Sequence, residues 1–293
     1  MSLADPAVIT CAISGALADR AQCPAIPYTP AQYAAEARRA VDEGAVHIHI
    51  HARRPDGTPS SAVEDFVAIA DAIRAEVGDA AIVNFSTGTV GVSVAARVAY
   101  LEAGAPEVAA LNMGSLNYAK YSRSRKRFVF QFVFANPFDE IVELLEALRR
   151  LRIRPEHECF DVGHVASLEP LLDMGLLEPP LHVDFVMGVL GGIPASAPNL
   201  ATMADNLPAG RHHWGVIGIG RAQWPMLAAA LSLGGSVRAG LEDNFHLPDG
   251  TLARSNGELV ATARRLAEDS GRRAATVGEA RALLGLAVAR RQG

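Results

Sequence analysis

The sequence predicts a single α/β domain folded as a (β/α)8 TIM barrel. Three observations lead there. Eight short apolar runs alternate with eight helix-like segments along the whole chain. The runs are nearly continuous in apolar residues, as strands of a parallel sheet covered on both faces are. The polar residues suited to chemistry fall just beyond the C-terminal ends of those runs, where barrel enzymes keep their sites. The chain has 293 residues, 49% of them hydrophobic, which is ample for one large core. An open doubly wound sheet is the competing architecture. Against it, the first strand is not followed by a G-x-G-x-x-G loop, and Gly218-Ile219-Gly220-Arg221 is only a fragment of one, far down the chain.

The first expected strand is Ala7–Ala12, and its helix is Thr29–Glu43, opened by the capping pair Thr29-Pro30 and stopped at Gly44. Val46–His51 and the helix Ala62–Glu76 follow, then Ala81–Phe85 and the helix Val92–Ala103, stopped at Gly104. The fourth strand, Val108–Leu111, precedes a long loop near 113–136 and the helix Pro137–Leu151. The fifth is Glu158–Val162 with the helix Ser167–Met174, and the sixth is His182–Met187 with Pro198–Asn206. Trp214–Ile219 with Ala222–Leu231 and Ser236–Gly240 with Ser255–Ser270 complete the set. No linker, low-complexity tract or further repeat divides the chain, so 1–293 reads as one domain.

Composition excludes some functions. With 27 basic against 32 acidic residues the net charge is −5, which recommends neither nucleic acid nor an anionic membrane as partner. No apolar run approaches the roughly 18 residues of a membrane span. The N-terminus has no basic stretch leading into a long apolar one, so no signal peptide is expected. The cysteines, Cys11, Cys23 and Cys159, are odd in number and lack redox or metal spacing, which fits a reducing cytoplasm.

In Val46-His47-Ile48-His49-Ile50-His51 the strand period places all three imidazoles on one face. Residues two apart lie about 7 Å from each other and can share an ion, whereas the outer pair, about 13 Å apart, cannot do so easily. Two of the three are therefore expected as metal ligands, His49 and His51, with His47 a layer deeper as a hydrogen-bonded core residue. Glu242, just past the eighth strand, is the natural third ligand and leaves an open coordination position. Zinc is the default for two imidazoles and a carboxylate, although iron(II), manganese and cobalt also suit these donors.

Arg238 and Asp243 flank Glu242. They form either a structural ion pair or a pair that positions substrate and tunes a base. Ser86, Thr87 and Gly88 at the third strand end, and Asn112 after the fourth, form polar loops that cap the next helix, bind a carboxylate or phosphate, or do both. Asp161 with His164, and Arg221, are expected at strand ends five and seven. The basic stretch Lys120–Arg127 carries four positive charges in five positions, Arg123, Arg125, Lys126 and Arg127. It is either a solvated charge run or a receptor for an anionic cosubstrate tail.

Several ordered segments resemble one family. They are Thr10–Ala16 with Pro27-Tyr28-Thr29-Pro30, His49-Ile50-His51-Ala52-Arg53, Leu111–Ser115, Phe160–His164, Gly191–Pro194, Gly218–Arg221 and Arg238–Asn244. Together they are similar to the β-keto acid cleavage enzymes, the family of 3-keto-5-aminohexanoate cleavage enzyme, from about Ala7 to Leu286. The resemblance implies a zinc-dependent barrel, usually a homo-oligomer (dimer or tetramer). It also implies a reaction in which a 3-keto acid and acetyl-CoA give acetoacetate and a new acyl-CoA. It implies further that His49, His51 and Glu242 hold the metal, that Arg238 and Asp243 deprotonate the carbon between ketone and carboxylate, and that Ser86 and Asn112 contact substrate. Two positions depart from the pattern. Leu17 stands where the founding member has an acidic residue for the substrate's amino group. Arg54 stands where an aspartate is usual. The first disfavours an amino-substituted substrate; the second leaves room for an acidic one. A metal-dependent hydrolase or aldolase on the same barrel, and a non-catalytic ligand-binding barrel, remain as alternatives.

Overall fold

The computed structural model describes residues 1–286. Eight parallel strands close into a barrel: β1 (Ile9–Ser14), β2 (His47–Ile50), β3 (Ile82–Ser86), β4 (Val108–Asn112), β7 (Arg154–Cys159), β8 (His182–Met187), β9 (His213–Gly218) and β10 (Ser236–Ala239). The two strands left out of the barrel, β5 (Leu116–Ser122) and β6 (Arg127–Phe134), pair as an antiparallel hairpin. The helices are α1 (Pro30–Asp42), α2 (Val63–Val77), α3 (Val94–Gly104), α4 (Phe138–Leu151), α5 (Val162–Ala166), α6 (Leu168–Asp173), α7 (Ala197–Asp205), α8 (Gln223–Ser232), α9 (Asn256–Asp269) and α10 (Val277–Leu283).

Local chemistry sets the helix starts. Thr29 and Gln32 make a capping box on α1 with Pro30 at the first helical position, and Ser93, Ser196 and Ser255 cap α3, α7 and α9. The main core lies between the outward faces of the strands and the helices, with Ile48, Ile50, Phe85, Val183 and Phe185 fully buried there. At the N-terminal end of the barrel Val8, Val46, Ile82 and Val108 pack on Ala280 and Leu284, so α10 closes that mouth. No helix among the described residues is long and apolar enough to cross a membrane.

The barrel interior is polar. His47 Nδ1 bonds Thr10 Oγ1 at 3.0 Å, as expected of a buried hydrogen-bonder, and its ring lies 5.5 Å from that of His182. Asn84 donates to Glu156, and His182 Nε2 bonds Asp184 Oδ2 at 3.0 Å. Ligand atoms of Glu156, His182 and Asp184 lie within 4.8 Å of one another, but these existing bonds already occupy an oxygen of each carboxylate. Burial holds His47 well below the ordinary imidazole range and keeps it neutral.

Two sequence expectations are corrected. The fifth barrel strand runs Arg154–Cys159, starting four residues before and ending three residues before the expected Glu158–Val162, because the polar stretch Arg154-Pro155-Glu156-His157 is strand. Phe160 follows that strand, and Asp161 caps α5 through a 3.2 Å bond from the Gly163 N–H. The long loop near 113–136 is largely the β5–β6 hairpin, with Lys120–Arg127 spanning its tip. Residues 287–293 of the expected domain lie outside the described residues.

Candidate active site

Strand β2 pairs with β1 and β3 so that His49 lies opposite Ala12 and Asn84, with its side chain inside the barrel. His51 follows two residues later at the mouth, and its ring centroid is 5.4 Å from that of His49. Glu242 reaches them from the segment after β10. Its Oε2 is 3.5 Å from His49 Nε2, and its Oε1 is 3.5 Å from His51 Nε2. All three offer ligand atoms within 4.8 Å of one another. His49 is buried, and neither of its ring nitrogens has a hydrogen-bond partner; Glu242 Oε2 has none either. Orphaned buried donors and acceptors are rare in folded proteins and call for a missing water or ion.

The backbone makes room for this cluster. A Cβ on Gly15 would sit 2.6 Å from Glu242 Cγ, so the loop after β1 passes the carboxylate only as glycine. At Gly240, where β10 ends, a Cβ would be 2.1 Å from the Ala12 carbonyl oxygen. Arg53 fixes the same loop from beneath. It is buried, donates Nε to Ser14 Oγ (3.0 Å) and Gly15 O (2.9 Å), and reaches Gly57 O (2.6 Å) and Ala18 O.

Arg238, on β10, joins three carboxylates. Its Nε and Nη2 bond Asp243 Oδ2 and Oδ1 at 3.0 and 2.8 Å. Its Nη1 bonds Glu158 Oε1 at 3.0 Å and its Nη2 bonds Glu242 Oε1 at 2.7 Å. One guanidinium cannot balance three carboxylates. Burial accordingly pushes Asp243 up to about 6 against the pull of Arg238, and Glu158 up to about 7. For Glu242 burial acts upward too, but the Arg238 guanidinium outweighs it and holds the carboxyl well below its usual range. Burial also drives the His49 pKa well below normal, leaving the neutral form that a metal ligand requires. Excess negative charge beside the neutral His49 imidazole and orphaned donor atoms fits a divalent cation on His49, His51 and Glu242.

The third and fourth strand ends gather a polar cradle. Ser86 and Asn112 are buried, the Gly88 N–H donates to Ser86 Oγ at 3.1 Å, and a Cβ on Gly88 would lie 3.0 Å from Asn112 Nδ2. Thr87 turns away: its hydroxyl donates to Ala110 O at 2.6 Å and anchors the loop.

Other expected residues stand further off. Leu17 is 60% exposed on the loop after β1, so the protein does not enclose it in a pocket. Arg54 is exposed and leans towards Asp65 of α2, with Nε 3.9 Å from Oδ2, and not into the mouth. Arg221 is exposed in a short helical turn after β9, and its neighbour Gly220 donates its N–H to Asp243 O at 2.7 Å.

Two residues escaped the sequence reading. Glu158 becomes visible once the fifth strand starts at Arg154, because Glu156 and Glu158 then alternate on its inward face. Tyr118 lies on the hairpin base, stacked on Phe132 at 5.3 Å between ring centroids. Burial, with the charges of Glu242, Asp243 and Glu158, pushes its phenol up to about 12 and keeps it a hydrogen-bond donor.

Fold and site together define a (β/α)8-barrel enzyme. The family model described as beta-keto acid cleavage enzyme matches residues 6–286, and the chain belongs to that family. It is 38% identical to the 3-keto-5-aminohexanoate cleavage enzyme of Fusobacterium nucleatum, over 95% of this chain and 97% of that one. It is 36% identical to the 3,5-dioxohexanoate:acetyl-CoA acetone transferase of Paraburkholderia graminis, over 95% of each. Among solved structures, apo ObcA superposes with a TM-score of 0.74 at 21% identity, over 92% of this chain and 67% of that one, a likeness of fold.

Proposed function

We propose that this protein converts a 3-keto acid and acetyl-CoA into acetoacetate and a new acyl-CoA, with zinc as the metal and a substrate lacking an amino group. The observation that carries the reading is the sharing of Glu242: one carboxylate faces both imidazoles and also takes a guanidinium hydrogen bond from the Arg238 that grips Asp243. Membership of the family supports the reaction class, and a relative bearing acetyl-CoA in its name supports the cosubstrate.

His49, His51 and Glu242 would hold the ion, which when bound supplies Lewis acidity to the 3-keto oxygen. Ser86 Oγ, held by the Gly88 N–H, and Asn112 Nδ2 orient the substrate carboxylate. Asp243, pushed up to about 6, takes a proton from C2 between ketone and carboxylate at neutral pH. Arg238 fixes the attacking geometry of Asp243 through its paired bonds. C2 then forms a bond to the acetyl carbonyl carbon and the coenzyme A thiolate transfers to C3. The C2–C3 bond breaks with its electron pair remaining on C2, and Asp243 returns its proton there to give acetoacetate. Acetyl and acyl groups exchange, so no oxidant or water is consumed. Tyr118 and the hairpin base shield this space from solvent. Leu17 at the rim offers no counter-charge to an ammonium.

The test is direct. The protein is incubated with acetyl-CoA and a panel of neutral, acidic and amino-substituted 3-keto acids, and acetoacetate and acyl-CoA are quantified. Their stoichiometric formation supports the reading. Turnover that ignores acetyl-CoA would contradict it and favour a hydrolase or aldolase; no turnover on a broad panel would favour a binding barrel.

A further inference from the structure

The hairpin has only one face accounted for. At its base Leu116 and Phe134 are buried against Phe160, Val186 and Ile217 over the barrel mouth. The outward face and distal half are open: Tyr121 is 48% exposed, Phe128 49%, Val129 52% and Val133 63%. A two-stranded ribbon is marginal on its own in water, and contiguous exposed apolar surface marks a contact site. The tip adds exposed Arg123, Arg125, Lys126 and Arg127.

The complement lies elsewhere on the same chain. Helices α4 and α6 enclose an apolar groove of about 580 Å³, floored by Phe138, Val142 and Met174 and rimmed by Asp139, Glu143 and Glu146. Phe138 and Met174 are 58% and 62% exposed. Nearby acids are neutralised within the chain, Glu140 by Arg97 and Glu178 by Arg149. Among the described residues, the three rim acids and the four tip cations make no ion pair. Strands of 7 and 8 residues hold the tip roughly 20–25 Å from the hairpin base, where α4 begins, so tip and groove of one chain are kept apart.

We propose that the groove is occupied by the hairpin tip of a second copy of this chain. Phe128 and Tyr121 enter the apolar floor while the tip cations meet the acidic rim. In a two-fold arrangement each tip reaches the other copy's groove, so the contact is made twice. The basic tip then serves assembly and not coenzyme A.

Two charge-reversed full-length variants test this by sedimentation velocity. One carries Arg123→Glu, Arg125→Glu and Lys126→Glu; the other carries Asp139→Lys, Glu143→Lys and Glu146→Lys. Each alone should lose one step of association, with the constant weakened on the order of tenfold or more. Their equimolar mixture should regain it, because the reversed tip fits the reversed rim and the native tip fits the native rim. That rescue also excludes misfolding as the cause. Both variants assembling like the wild type, or a mixture that fails to recover, would overturn the proposal. So would a tip variant whose only change is a higher KM for acetyl-CoA.

Discussion

Arg238 holds Asp243 by two parallel hydrogen bonds, Nε to Oδ2 at 3.0 Å and Nη2 to Oδ1 at 2.8 Å, so the carboxylate cannot rotate without losing both. Burial and neighbouring negative charge raise Asp243 to about 6, high for an aspartate but still ionised at neutral pH. A fixed carboxylate with that affinity for protons is suited to removing one from carbon.

Asp243→Asn should therefore retain the metal, since the amide keeps the shape. Exchange of the substrate's C2 protons into deuterated water should slow by about a hundredfold or more, the typical cost of losing a general base. An unchanged exchange rate, followed by NMR, would remove Asp243 from the proton-transfer role.

Gly15→Ala tests the packing behind the cluster. The new Cβ meets Glu242 Cγ at 2.6 Å, so the side chain must shift while the barrel, closed by other contacts, persists. Metal affinity should fall by roughly ten- to a hundredfold, as when supporting contacts of metal ligands are lost. Titration with a competing chelator measures it; wild-type affinity in the folded variant would show that Glu242 does not need this position.

The polar interior makes stability depend on pH. Burial and neighbouring positive groups hold His157 and His213 at about 3 each, against about 6.5 in an unfolded chain. As pH falls from about 6.5 towards 3, the unfolded chain binds protons that the folded one refuses, so stability declines across that window. Urea midpoints should drop between pH 7 and pH 5, and His157→Gln should flatten part of the slope. Midpoints that stay level over this range would show that these imidazoles take up protons without unfolding.

Leu17 tests specificity. An aliphatic side chain gives an ammonium no partner, whereas a neutral chain gains about 0.8 kcal/mol for each CH₂ it buries. Uncharged 3-keto acids should show higher kcat/KM than 3-keto-5-aminohexanoate, and Leu17→Glu should move the preference towards the amino substrate. Since Leu17 is 60% exposed in the protein alone, the substitution should leave thermal stability almost unchanged. A wild-type preference for the amino substrate would place Leu17 outside the specificity site.

The site was legible where strand periodicity governs it. His49 and His51 share a face because side chains alternate, and Glu242, Arg238 and Asp243 gather because a closed barrel brings its last strand beside its first. Glu158 was hidden because Arg154-Pro155-Glu156-His157 reads as polar connection; it is strand because Asn84 and Arg238 satisfy its inward carboxylates. The hairpin is hard to see because the charged tip Arg123–Arg127 interrupts it, although Phe128, Phe130, Phe132 and Phe134 alternate along its second strand. Leu17 and Arg54 lie on loops whose directions follow from the bonds Arg53 makes to distant carbonyls, which no local pattern announces.

The central claim is that His49, His51 and Glu242 form one metal centre, and metal content measures it most directly. Purified wild-type protein should contain one divalent ion per chain, zinc by expectation, and the His49→Ala/His51→Ala double variant should contain none while keeping the barrel's circular dichroism. Stoichiometric metal retained in the folded double variant would contradict the account.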